Sequence, residues 1–193
     1  MYCLNIYSFL GVTCPIEANL LVVEGWMSDY VVKSAVTEFN QGNYQKLITA
    51  GTPIDKGSYL SEYNNFAKLT AKTLITLGIP PDQVVAAPIP EVTKYRTTAS
   101  AVAVKEWLET SNIKVNSINI YSLGPHPRRS WVIYRNVLSP DIQVGVIAVE
   151  PKYYNPQRWW HSNAGMLTVI GETITYFYTR SVDMKQINYA IYK

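Results

Sequence analysis

Residues 119–138 of the chain read NIYSLGPHPRRSWVIYRNVL, and this stretch decides the fold. Its continuous apolar run ends at Leu123, which is the pattern of a strand buried on both faces of a parallel sheet. A helical pattern follows, because Trp131, Tyr134 and Leu138 recur at three- and four-residue spacing. A strand that passes through a short turn into a helix is half of a β-α-β unit, the building block of parallel sheets.

The same alternation of strand and helix extends in both directions along the chain. Further buried-strand patterns are NLLVVEG (19–25), KLITAG (46–51), QVVAA (83–87) and IQVGVIAV (142–149), each followed by turn residues and a helical pattern. Five such repeats predict an α/β fold, a Rossmann-like three-layer α/β/α sandwich with a mainly parallel five-stranded sheet. If the strand order is 3-2-1-4-5, the first and fourth strands are neighbours.

Capping residues suggest where two of the helices begin. Ser58 is expected to open the second helix, which ends at Gly78, and this start places Glu62 in the first turn. A carboxylate in a first turn is favourable for the helix dipole without any function. Thr97 or Thr98 is expected to cap the third helix.

Length and composition indicate one domain. The chain has 193 residues, of which 48% are hydrophobic and 16% charged, enough to bury a core without disulfides or metals. We expect the domain to span residues 13–180, between an N-terminal segment (1–12) and a C-terminal tail (181–193). The N-terminal segment is either the remnant of a membrane anchor or a segment that packs on the domain.

Several function classes have little support in the sequence. The formal net charge of +3 is small and scattered, so nucleic acid is not an expected partner. Cys3 and Cys14 form no CxxC pair and have no nearby histidine, so no metal site is expected. No apolar run is long enough to span a bilayer, and membrane association is expected only through an anchor preceding the segment given.

The residues after the fourth strand suggest an anion site. Gly124 makes a sharp turn, and His126, Arg128 and Arg129 open the following helix, whose N-terminal N–H groups already favour an anion. Guanidinium and imidazole groups suit phosphate or carboxylate. The alternative is that both arginines are solvated and His126 only caps the helix.

The topology places a second group of residues opposite this turn. Ligands of parallel α/β sheets bind outside the carboxyl ends of the strands, where the strand order reverses. Glu24 and Gly25 after the first strand, and Gly51 and Thr52 after the second, are therefore expected at the same edge as His126. Glu24 would orient His126 or act as a base; an exposed turn residue is the alternative.

Familiar nucleotide and hydrolase fingerprints are missing from the sequence. It has no Walker loop, no GxGxxG and no GxSxG serine elbow. The aromatic-rich loop YYNPQRWWHSN (153–163) is predicted to border the pocket, with Arg158 or His161 near the ligand.

Taken in order, the motifs resemble a bacterial family long classed as a domain of unknown function. The chain is similar to the YdcF/SanA/ElyC-like proteins over roughly residues 13–178. The motifs that carry the resemblance are LLVVEG, KLITAG, the Ser-Glu opening of SEYNNFAKLTAKTLITLGIPPDQVV, YRTTASAV, IYSLGPHPRRS with its His-x-x-Arg, and GETITYFY. The chain departs from the family's usual glycines at Gly25-Trp26 and Gly51-Thr52, which implies less close backbone approach to a phosphate.

The resemblance implies a site and a cellular context. The site would contain Glu62, Thr97 or Thr98, His126, Arg129 and Glu172. The context would be the bacterial cell envelope, membrane-associated rather than cytoplasmic, and one branch of the family is associated with S-adenosylmethionine.

Two functional hypotheses follow. In the first, the chain is an envelope-linked enzyme acting on an anionic small molecule, a nucleotide-type cofactor or a phosphorylated glycan precursor. Arg129 would hold the anion and His126 would transfer a proton. Glu24 or Glu62 would orient the histidine or a nucleophile. In the second, the same fold is a non-catalytic ligand-binding or regulatory module.

Overall fold

The computed structural model describes residues 6–60 and 62–182 of the chain. Its five strands form one all-parallel sheet of order β3-β2-β1-β4-β5, which confirms the Rossmann-like prediction. The strands are β1 (Leu20–Glu24), β2 (Lys46–Gly51), β3 (Val84–Pro88), β4 (Ser117–Leu123) and β5 (Gln143–Val149). The helices are α1 (Ile6–Leu10), α2 (Asp29–Gln41), α3 (Phe66–Thr76), α4 (Arg96–Thr110), α5 (Pro127–Leu138) and α6 (Asn163–Ser181).

Helices cover both faces of the sheet, because successive strand side chains point to opposite sides. On β1, Leu20 and Val22 face a core formed with α4 and α5. Leu21 and Val23 face a second core formed with α2 and α3. This two-sided burial explains the unbroken apolar runs in the sequence, and it places Glu24, the next residue of β1, on the α4–α5 side.

Two of the expected helix starts are wrong. Ser58 begins only a short 3₁₀ turn (Ser58–Leu60), and α3 starts at Phe66. The Asn65 side chain accepts a hydrogen bond from the Lys68 N–H at 2.8 Å, so the better-placed cap sets the start. Glu62 therefore precedes the helix instead of lying in its first turn.

The start of α4 also differs from the expectation. The residue before the helix is Tyr95, in a left-handed conformation with φ 59° and no side-chain cap. Thr97 and Thr98 consequently lie inside the first turn and cap nothing. The first backbone N–H groups of α4 are left without a capping side chain.

The N-terminal segment packs on the domain as far as it is described. Tyr7 and Leu10 of α1 are buried with Trp159 and with Val169 of α6, in a small third cluster. Cys14 then pairs with β5 through an antiparallel bridge; Cys3 lies outside the described residues. Within residues 6–60 and 62–182, no helix has the length and apolarity needed to cross a membrane.

Candidate functional site

A cavity of about 310 Å³ lies at the carboxyl edge of the sheet. Glu24 ends β1, Thr52 follows β2 and His126 follows β4, and all three line the cavity as the strand order predicts. The α4 and α6 helices add Thr97 and Glu172 to its wall.

Glu24 is a fully desolvated carboxylate held by two hydroxyl groups. It is 3% exposed; Ser122 donates to its Oε2 and Ser130 donates to its Oε1 at 2.8 Å. Burial raises the pKa of Glu24, but the charge of His126 and these hydrogen bonds outweigh it, so the pKa lies below its ordinary value. Glu24 is therefore ionised and faces the histidine.

His126 lies between two carboxylates. Its Nδ1 is 2.9 Å from Glu172 Oε1 and its Nε2 is 3.3 Å from Glu24 Oε1. Burial lowers the pKa of His126, but the charge of Glu24 and the hydrogen bond with Glu172 outweigh it, and together they raise the pKa from 6.5 to about 9. His126 is consequently an imidazolium at neutral pH.

One face of this imidazolium remains available for a ligand. His126 is only 7% exposed, yet its Nε2 has no hydrogen-bond partner within the described part of the chain. Glu24 Oε1, at 3.3 Å from Nε2, forms an ion pair with the ring. A buried donor without a partner costs free energy, so an acceptor entering the cavity at this atom would be stabilised.

Arg129 is already occupied by the protein itself. Its Nε donates to Glu172 Oε2 at 2.8 Å and its Nη2 donates to Glu172 Oε1 at 3.0 Å, forming a bidentate pair. Its Nη1 donates to Thr97 Oγ1 at 3.1 Å. The pairing with Arg129 and His126 offsets burial and depresses the pKa of Glu172 strongly. An anion would have to compete with Glu172 for this guanidinium.

The protonation state of His126 determines whether its Nδ1 donates a hydrogen bond to Glu172 or accepts one from Arg129. Arg129 Nη2 lies 2.8 Å from Nδ1, as close as Glu172. A protonated ring donates from Nδ1 to Glu172, whereas a neutral ring with its proton on Nε2 accepts from Arg129. Loss of the Nδ1 proton is therefore accommodated by a change of partner within the four-group network of Glu24, His126, Arg129 and Glu172, whereas loss of the Nε2 proton leaves Nδ1 donating to Glu172.

Arg96 is a cationic residue at the cavity that was not predicted from the sequence as a site residue. Arg96, the first residue of α4, lines the cavity and is exposed, and within the described residues it makes no ion pair or hydrogen bond. It also lines an adjoining groove of about 630 Å³, which shares Thr52 with the cavity and contains Asp55 and Tyr59. The signal in the sequence was a basic residue directly before the threonines at the helix start.

The glycines expected to bind a ligand serve packing or turn geometry. A Cβ on Gly25 would lie 3.0 Å from the Phe66 backbone, and a Cβ on Gly51 would lie 2.8 Å from the Phe66 side chain. Both glycines let α3 approach the sheet, and Phe66 then forms part of the cavity wall. Gly124 has φ +61°, which the turn between β4 and α5 requires.

Other expected site residues lie elsewhere. Glu62 is exposed and does not line the cavity, because α3 begins four residues after it. Thr98 is buried and lines a neighbouring cavity. Arg128 turns away from the site, with its guanidinium 4.0 Å from the ring centre of Phe9.

The aromatic loop is also separate from the cavity. Trp159 packs with the N-terminal helix, and neither Arg158 nor His161 lines the cavity around His126. An aromatic that does reach the site is Trp26, which is 47% exposed and meets the His126 ring edge-on at 5.2 Å. It screens the imidazolium from solvent on the open side.

The arrangement suits proton transfer next to an anionic group. Glu24, Glu172, His126 and Arg129 carry two charges of each sign, which cancel within the network, while Arg96 remains free for a negative ligand. No group of three metal-ligating side chains occurs among the residues the structure describes. A scan against protein-family models found no match, and a search of the curated proteins found none either.

Proposed function

We propose that the chain binds an anionic small molecule at the carboxyl edge of its sheet and that His126 donates a proton to it. The ligand is a phosphorylated compound, either a nucleotide-type molecule or a glycan precursor. We further propose, from the sequence resemblance described above, that the chain is a YdcF/SanA/ElyC-like protein acting in the bacterial cell envelope.

A single observation carries the proposal: among the described residues, the buried Nε2 of a protonated histidine has no hydrogen-bond partner, and it borders a cavity also lined by Arg96, for which the same residues supply no ion pair. A phosphate oxygen supplies the acceptor that His126 lacks and the negative charge that Arg96 lacks. The uncapped N-terminus of α4 adds backbone N–H groups that favour the same charge.

The high pKa of His126 decides its chemical role. A group with a pKa of about 9 holds its proton at neutral pH, so His126 fits a general acid that protonates a leaving oxygen better than a general base. Glu24 and Glu172 position the ring and keep the proton on it. Arg129 fixes Glu172. When Nε2 gives its proton to the ligand, the neutral ring keeps its other proton on Nδ1 and donates it to Glu172.

The size of the site fits a ligand larger than an inorganic anion. The cavity alone, at about 310 Å³, is at the lower end of small-molecule sites. The adjoining groove of about 630 Å³ shares Thr52 and Arg96 with it and gives room for a nucleoside or sugar attached to the phosphate.

S-adenosylmethionine, which the resemblance implies for one branch, does not match this set of side chains. Its sulfonium is cationic, and both carboxylates at the cavity are already paired with His126 and Arg129. Among the described residues that line the cavity, the charged group without an ion pair is Arg96, which is positive. The adjoining groove also contains the carboxylates of Asp55 and Glu91. The proposal therefore includes no step through this cofactor.

A non-catalytic binding module is the second candidate, and the closed charge network favours it. Arg129 is satisfied by Glu172 and Thr97 without any ligand, so the network can serve to hold α6 against the domain. In that case His126 contributes affinity or stability and no turnover.

Calorimetric titration of the purified protein with phosphate-bearing probes tests the proposal. Inorganic phosphate, glucose 1-phosphate and uridine monophosphate are compared at fixed salt. Arg96→Ala should weaken binding about ten- to a hundredfold, the value of one charge-assisted contact. Lys105→Ala is the matched control, since Lys105 lies on the same helix and pairs with Glu109.

The results separate the candidates. His126→Asn in an enzyme abolishes turnover of the bound probe and changes affinity a few-fold, whereas in a binding module it changes affinity alone. If no probe binds, or if Arg96→Ala and Lys105→Ala have equal effects, the anion site is refuted.

A further inference from the structure

The last helix presents two different faces. Its inner face carries Glu172 into the site and buries Gly165 and Val169. Its outer face is apolar, and none of the described residues covers it. That outer face consists of Met166, Leu167, Ile170, Ile174, Phe177 and Tyr178.

Helical geometry shows that these six side chains form one surface. At about 100° per residue, they fall within an arc of about 120° on α6, and Glu172 points to the opposite side. The exposed fractions are large, including 77% for Leu167, 64% for Ile174 and 60% for Phe177. An apolar stripe of this width is the pattern of a helix that packs against something.

The outer face carries no charge along its length. The charged residues of α6 are Glu172, on the inner face, and Arg180, near the last turn. Phe9 of α1 is not part of this face: it contacts Tyr176 on the inner side of α6, and the Arg128 guanidinium stacks on its ring. A partner recognised through charge would find no complementary group here.

We infer that a second copy of this chain packs on the outer face, forming a two-fold dimer in which α6 lies against its own symmetry mate. A two-fold contact places a surface against itself, so an uncharged apolar face is self-complementary, whereas any charge would meet its like. This inference is independent of the proposed function.

The size of the face agrees with this occupant. Scaled by their exposed fractions, the six side chains present roughly 600–700 Å², near the lower end of the roughly 600–1,000 Å² that each partner contributes to a standard interface. An anionic bilayer is a poorer match, because helices that bind one place lysines and arginines along the flanks of their apolar face.

Sedimentation of the full chain tests the dimer. The wild type should sediment at twice the chain mass of 21.8 kDa at micromolar concentration. Leu167→Lys combined with Ile174→Lys should raise the dimer dissociation constant at least about a hundredfold, because it places charges inside an apolar contact. Leu77→Lys, at an apolar position 40% exposed beyond α3, is the matched control and should leave the dimer intact.

The alternatives give distinct results. A wild type that is monomeric at about 100 µM overturns the inference, and co-sedimentation of that monomer with neutral phosphatidylcholine vesicles would assign the face to lipid instead. A dimer that survives the double lysine variant, with unchanged circular dichroism, overturns it as well. If the lysine variant fails to fold, Ile174→Ala with Phe177→Ala should still weaken the dimer at least about tenfold; an unchanged dissociation constant would refute the contact.

Discussion

Replacing Glu24 by glutamine should destabilise the protein in a pH-dependent manner. The substitution keeps the shape of the side chain and removes the negative charge that faces His126 at 3.3 Å. A buried imidazolium would then have lost one of its two carboxylates. We expect the pKa of His126 to fall from about 9 to below its ordinary value of 6.5, because burial and Arg129 both disfavour its charge.

The size of the effect follows from the same pair. Raising the pKa of His126 from 6.5 to about 9 corresponds to about 3 kcal/mol of folded-state stabilisation, at about 1.4 kcal/mol per unit. Breaking a buried ion pair by removing one partner costs about 3–5 kcal/mol. Glu24→Gln should therefore lower the free energy of unfolding by about 3 kcal/mol near pH 6.

The directions of the two pKa shifts fix the pH range in which Glu24→Gln destabilises the protein. The contribution of His126, whose folded pKa is raised, is complete below 6.5 and is lost as the pH rises through about 9. The contribution of Glu24, whose folded pKa is lowered, is present above 4.5 and is lost as the pH falls. The wild type and Glu24→Gln should therefore differ most between about pH 4.5 and 6.5.

Urea unfolding followed by tryptophan fluorescence measures the difference at about pH 6 and about pH 10, and it should shrink by about 2 kcal/mol or more at the higher pH. Glu109→Gln, at an exposed carboxylate, is the control and should cost under about 1 kcal/mol at both pH values. An equal loss for Glu24→Gln at the two pH values would refute the charge pairing and leave only a packing defect.

Three further substitutions test other parts of the structure. Gly51→Ala should lower the unfolding free energy by about 1–3 kcal/mol, because its Cβ would lie 2.8 Å from the Phe66 side chain; a neutral result in thermal unfolding would contradict that close approach. Tyr134→Phe should raise the unfolding free energy by about 1 kcal/mol, because the buried hydroxyl has no hydrogen-bond partner among the described residues; a loss in urea unfolding would indicate a bound water. Arg128→Ala should cost about 1 kcal/mol and speed proteolysis next to α1, because it removes the stacking on Phe9; unchanged cleavage rates would show that α1 docks without it.

The sheet was predictable from the sequence because its strands are buried on both faces. Apolar runs such as 20–23 and 146–149 leave no solvent-facing alternation, and a helical pattern after each run restricts the topology to parallel crossovers. The positions of Glu24 and His126 followed from that topology, because Glu24 ends β1 and His126 lies in the turn after the neighbouring strand β4.

The helix starts were harder to predict than the strands, because several residues near each start can cap the helix. Ser58 and Asn65 are both good caps, and the choice depends on where the segment after β2 meets the sheet. The Phe66 N–H bonds to the Thr52 carbonyl at 2.9 Å, a contact that no local pattern reveals. The misplaced start had put Glu62 in the first turn of the helix, and the family resemblance had put it in the site.

The partner of Arg129 depended on tertiary packing. The His-x-x-Arg spacing places His126 and Arg129 on one side of α5, but only the packing of α6 brings Glu172 between them. Considered alone, Glu172 lies off the apolar stripe of its helix and looks solvent-exposed. The apolar stripe of α6 faces outward, whereas an apolar stripe on a helix is usually interpreted as the face that packs on the core.

Nuclear magnetic resonance of the histidine side chains during ligand titration tests the central claim most directly. The chain has two histidines, so His161 is an internal reference for His126. With glucose 1-phosphate at neutral pH, the Nε2 signal of His126 should shift saturably while that of His161 stays fixed, and Arg96→Ala should raise the required concentration about tenfold or more. A His126 signal that does not move, or two histidine signals that drift together as they do with added salt, would contradict a phosphate site at His126.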